Sequence, residues 1–151
     1  MFALMTLAVA VAQCCAAGVH AGEMDHAIHV RSSVHNTSKI ANDGILRVPS
    51  QECGYILCNA SAVFDNLTND IHYWDYYVEW EMPKEAKADE AIFQMGRDYQ
   101  LPHSYLVFRH FRSNLTGMYK CRLLFRQAQV GSHIVHLSLD ESTHSSRICP
   151  H

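Results

Sequence analysis

The sequence predicts an all-β domain, a two-sheet antiparallel sandwich, on three observations. Seven short segments alternate apolar and polar residues with a period of two, turn residues separate them, and four cysteines remain beyond an apolar leader. The alternation is clearest where Trp74, Tyr76, Val78, Trp80 and Met82 share one face and Asp75, Tyr77, Glu79 and Glu81 the other. A strand of this kind has one dry face and one wet face.

The chain has 151 residues, 48% of them hydrophobic and 18% charged, the composition of one ordinary globular domain. A formal net charge of -3 excludes nucleic-acid binding by bulk electrostatics. Residues 1–21 read as a signal peptide: they carry no charged side chain, an apolar run extends from Phe2 to Ala12, and small residues lead to Val19-His20-Ala21. Asn36, Asn59, Asn66 and Asn114 each open an N-x-[ST] sequon without proline, so each is an expected glycosylation site at the surface. Leader and sequons together predict a secreted, extracellular protein that matures where disulfides form. Cys14 and Cys15 belong to the leader, which leaves Cys53, Cys58, Cys121 and Cys149, an even set with three possible pairings into two bridges.

Residues 22–43 are polar and rich in His and Ser, a lead-in that is flexible or holds one edge strand. The expected domain covers residues 44–140, with strands at Ile45–Val48, Tyr55–Ala60, Trp74–Met82, Ala91–Met95, Ser104–Phe111, Gly117–Phe125 and His133–Leu139. Pro83–Ala91 reads as a solvated connection with one helical turn, because Pro83 suits a helix start but no apolar stripe follows it. Residues 141–151 form a polar tail. No membrane anchor is expected, since His133–Leu139 is too short to span and the tail lacks the hydrophobic stretch of a lipid-anchor signal.

Leu106, Phe108, Phe111, Leu115, Gly117, Tyr119 and Cys121 stand at the spacing with which immunoglobulin-superfamily domains pass from strand E to strand F, and this stretch resembles that family. The resemblance implies an immunoglobulin-like sandwich whose B–F inter-sheet disulfide joins Cys58 to Cys121, with Tyr119 at the tyrosine corner and Trp80 as core tryptophan. Trp74 is the rival for that last role, because the stretch from Cys58 to Trp80 is longer than usual in the family. Leu115 stands where the family carries an aspartate that pairs with an arginine, so that ion pair is not expected for Arg97. The short interval from Trp80 to Cys121 is closer to the intermediate or constant-like sets than to a full variable-type domain. For Cys53 and Cys149 a bridge tying the tail to the sandwich is expected, and the alternative is a disulfide-linked partner through Cys149.

His26-x-x-His29 and His133-x-x-His136 put their histidines on opposite faces of a strand, and no nucleophile motif is present, so neither metal, cofactor nor enzymatic activity is expected. Function is then expected from surfaces. Tyr73, Trp74, Tyr76 and Tyr77, in or beside the long B–C segment, are the binding candidates, because Tyr and Trp supply rigid amphipathic contact area. Arg126–Ser132, between F and G, is the second candidate. If strands C and F are neighbours, as the resemblance implies, Glu79 and Glu81 are expected to lie near Lys120 and Arg122 in a cross-strand charge ladder. The expected function is a secreted, glycosylated module that binds an extracellular or cell-surface protein as a soluble ligand, decoy or adhesion modulator. The alternatives are a structural subunit linked through Cys149 and a truncated receptor ectodomain.

Overall fold

The computed structural model describes residues 24–34, 44–62, 76–96, 102–146 and 149. Within them eight strands follow in chain order: β1 (His29–Ser32), β2 (Ile45–Ser50), β3 (Gly54–Asn59), β4 (Tyr76–Glu81), β5 (Ile92–Met95), β6 (His103–Phe108), β7 (Gly117–Phe125) and β8 (Ala128–His144). A short helix, α1 (Lys84–Lys87), connects β4 to β5. It is the single helical turn that Pro83 suggested, with Ala86 turned into the core.

One sheet has the order β1-β3-β6-β5 and the other β2-β8-β7-β4. All pairings are antiparallel except β2 on β8, which is parallel and sets Leu46 opposite Leu137. Alternation encodes which face a side chain takes and not the direction of its neighbour, so period-two patterning has no means of sensing this exception.

The two inner faces meet in one core. Ile56, Cys58, Leu106 and Phe108 come from the first sheet, and Leu46, Val48, Val78, Trp80, Tyr119, Cys121, Leu123, Val135 and Leu137 from the second. Each such side chain contributes about 1.5–3 kcal/mol by leaving water. Cys58 and Cys121 are bridged, which ties β3 to β7 across the layers. Trp80 lies opposite Cys121 in the β4–β7 register, and its buried Nε1 donates to the Ser104 carbonyl at 3.2 Å. Gln94 spans the layers as well: its Oε1 accepts from the Trp80 amide at 3.3 Å and its Nε2 donates to Ser104 Oγ at 3.1 Å.

Tyr119 is fully buried, and its hydroxyl donates to the Leu115 carbonyl at 2.6 Å. That burial pushes the phenol's pKa up. Two residues earlier Gly117 adopts φ 152, and a Cβ there would lie 2.9 Å from Pro83 Cγ. Only glycine suits both the backbone and the space.

The sandwich takes in more chain than residues 44–140. β1, within the lead-in, pairs with β3, and β8 runs on to His144, which stands opposite Ser50. The tail is held further, because Cys149 is bridged to Cys53 at a sequence separation of 96. Closing so long a loop is worth about 2–4 kcal/mol. The bridge also occupies the Cys149 sulfur, and the reading of a partner chain linked through that residue is corrected accordingly. The leader, Asn36, Asn66, Tyr73, Trp74 and Arg97 lie outside the described residues.

Candidate functional site

The outer face of β4, β7 and β8 is built by the strand pleat. Because Tyr76, Val78, Trp80, Tyr119, Cys121, Val135 and Leu137 turn inward, their neighbours turn outward in cross-strand rows. Glu79 stands opposite Arg122 and Arg122 opposite Ser132; Glu81 stands opposite Lys120 and Lys120 opposite Ile134; Met118 stands opposite His136. Arg122 hydrogen-bonds Glu79 and also lies 3.6 Å from Glu81, so one guanidinium serves two carboxylates. This is the charge ladder that the alternating strands imply, although Glu79 is more enclosed than an outward residue need be, at 8% exposure.

Beside the ladder the face changes character. Met118 is 68% exposed and Ile134 53%, and they line a groove of about 490 Å³ together with Met82, Pro83 and the charged Glu81, Glu85 and Lys120. Apolar side chains set among charges of both signs suit a protein-binding surface. Sequence reasoning passed over Met118 and Ile134, because each is one apolar residue at a polar position of an otherwise regular strand.

Of the aromatic candidates, Tyr76 requires a correction. It is 4% exposed, and its ring centroid lies 4.7 Å from that of Phe125, so it is a core residue and not a contact residue. Its parity with Val78 and Trp80 requires this. Tyr77 has the opposite parity and is half-buried on the outer face, opposite Leu124.

The F–G segment is also corrected. The turn is only Arg126 (φ 47) and Gln127 (φ 71), and β8 begins at Ala128, so most of Arg126–Ser132 is strand and not loop. Two consecutive positive φ values make a primed hairpin turn, normally signalled by Gly, Asn or Asp. Neither residue is one of these, and the turn was therefore invisible in the sequence. The Arg126 guanidinium covers the Phe125 ring at 5.1 Å.

Two expected glycosylation sites fall within the described residues. Asn114 is exposed in the 3-10 turn Ser113–Leu115, and its Nδ2 donates to Asp89 Oδ2 at 2.5 Å. The Ala91 amide first, and the Asn114 amide second, hold the Asp89 carboxyl below its usual pKa. Asn59 ends β3, and its Oδ1 accepts from the Ser61 amide at 2.9 Å and from Ser61 Oγ at 2.5 Å. Among the described residues no three His, Cys, Asp or Glu side chains gather as a metal site. His133 instead packs near Asp25 and His29, and burial pushes its pKa down.

In immunoglobulin terms the first sheet carries the A, B, E and D strands, and the second the G, F and C strands with β2 added parallel to G; the disulfide joins B to F and the tyrosine corner lies at the entry to F. The fold is immunoglobulin-like. No protein-family model and no curated protein sequence matches the chain. Among solved structures, the ZIG-8 IG1 homodimer is similar at 16% identity and TM-score 0.43 over 74% of this chain and 87% of that one. The human B7-H4 IgV-like domain is similar at 14% identity and TM-score 0.41 over 76% and 98%. The twitchin kinase region from C. elegans, which includes an Ig domain, is similar at 14% identity and TM-score 0.43 over 63% of this chain, which spans only 15% of that protein. These likenesses concern architecture alone. No helix among the described residues is long and apolar enough to cross a membrane.

Proposed function

We propose that this chain is a secreted, glycosylated immunoglobulin-like module that binds an extracellular or cell-surface protein through the outer face of β4, β7 and β8. The observation that carries the reading is the pair Met118 and Ile134, both largely exposed beside the Glu81–Lys120 row. Large apolar side chains that line one groove and are rimmed by charge mark interaction surfaces. Tyr77, half-buried opposite Leu124, extends this face along β4.

The test is staining of cell surfaces with fluorescent, glycosylated protein, with and without protease treatment of the cells. Staining is expected to need intact surface protein and to fall at least about tenfold for Ile134→Asp, the loss expected when a central apolar contact is replaced by a buried charge. The variant should keep the parent melting temperature, since the side chain lies outside the core. Undiminished staining by a folded Ile134→Asp protein would assign recognition to another face.

A further inference from the structure

The outer face of the other sheet is unlike the first, and it carries a sequon. On β3, β6 and β5 the outward positions are Tyr55, Leu57 and Asn59, then His103, Tyr105 and Val107, then Phe93 and Met95. Register places Tyr55, Val107 and Phe93 in one row and Leu57, Tyr105 and Met95 in the next. Tyr55 is 42% exposed and Met95 52%. Six apolar or aromatic side chains therefore form two adjacent rows on a sheet face where polar residues are the norm.

Asn59 starts the following row, directly opposite His103. The His103 ring meets Tyr105 edge-on at 5.6 Å, and Tyr105 meets Tyr55 edge-on at 5.4 Å, so an aromatic chain leads from the sequon across the face. Both hydrogen bonds from Ser61 go to Asn59 Oδ1, which fixes the plane of the amide and with it the place of Nδ2. We infer that the N-linked glycan of Asn59 lies back over this face, its first N-acetylglucosamine residues packed by their C–H faces on His103, Tyr105 and Leu57. The covalent step uses a lipid-diphosphate-linked oligosaccharide. Nδ2 bonds to the sugar C1, the C1–O bond breaks with departure of the lipid diphosphate, and one Nδ2 proton passes to solvent.

The tether argues for the sugar as the cover: Asn59 lies on the face itself, opposite His103, so the first saccharide residues begin beside the aromatic side chains.

This inference rests on the secreted, glycosylated reading, and peptide mapping of protein from mammalian cells separates the two. If Asn36, Asn59, Asn66 and Asn114 are all bare, that reading fails with the inference; if any of the other three is occupied and Asn59 bare, only the inference fails. With Asn59 occupied, NMR of glycoprotein trimmed to a single N-acetylglucosamine should show upfield-shifted sugar protons and cross-peaks to the Tyr105 ring, both lost in Tyr105→Leu. Sugar signals at solvent positions would overturn it. Because trimming acts on folded protein, this arm does not depend on refolding. Asn59→Gln should bind more apolar dye and self-associate, and Asn59→Gln/Tyr105→Thr should reverse both. Parent-like behaviour of Asn59→Gln would count against the inference. So would dimerisation of the fully glycosylated protein through this face, or its binding to phosphatidylserine vesicles, which would give the face to a second copy or to lipid.

Discussion

On the outer face of β4 and β7 the central residues are Glu79, Glu81, Lys120 and Arg122, and on the outer face of β3, β6 and β5 they are Leu57, Tyr105, Val107 and Phe93. The two sheets nevertheless turn largely apolar inner faces to one core. The inner faces agree because burial selects apolar side chains wherever a polar one would lose its water. The outer faces are under no such constraint, so their difference reports on what each side meets after folding. One is charged in both signs and suits a protein partner; the other is apolar and calls for a cover.

The largest effect should come from what the two faces share. Replacing Cys121 with Ser opens the bridge between the sheets and should cost about 2–5 kcal/mol in urea unfolding, with signals from both faces lost together. If one sheet melted separately, the sandwich would not be a single cooperative unit. A smaller effect, confined to the charged face, is expected for Arg122→Met, which takes the guanidinium from the enclosed Glu79 carboxylate at a cost of about 1–3 kcal/mol. The second variant Glu79→Gln should recover part of it, a coupling that a double-mutant cycle reads directly. Val107→Thr, on the apolar face, should by contrast stay within about 0.5 kcal/mol, as surface changes do. Equal costs on the two faces would remove the distinction between them.

The smallest effect is a pH dependence near the N-terminal edge of β8. Burial lowers the His133 pKa below its ordinary 6.5, against the pull of Asp25. The unfolded chain then takes the proton first. This contribution to stability is present above pH 6.5 and is lost as the pH falls from there through the lower folded value. His133→Gln should flatten the melting temperature between pH 7.5 and 5.5, and an unchanged slope would show that another group titrates.

How much could be read beforehand varies by element. β4 and β7 alternate cleanly, so the outward facing of Glu79, Glu81, Lys120 and Arg122 was evident in the sequence, and the family resemblance set the two strands side by side. β6 was legible as a strand, but its facing came only from the family resemblance, which turns Leu106 and Phe108 to the core: in His-Ser-Tyr-Leu-Val-Phe both parities are apolar, and inward Ser104 is accommodated by hydrogen bonds of its hydroxyl with Gln94 and the Met95 carbonyl. β1 is only four residues long and lies in a polar stretch, which left it without a distinct pattern. The Arg126–Gln127 turn lacked every residue that usually marks its geometry.

By itself the sequence determined the strand count to within one and the shared face of Tyr119 and Cys121, because these follow from local periodicity and turn chemistry, whereas the roles of Trp80 and of the Cys58–Cys121 pair came from the family resemblance. Tertiary structure decided between the two readings of Cys149 by closing it on Cys53, and it alone decided that β2 runs parallel to β8 and that Tyr105, Val107 and Phe93 assemble into one outer face. Each of these depends on which distant segment lies alongside. Strand pairing and register are contacts between residues far apart in the chain, and no local pattern carries them.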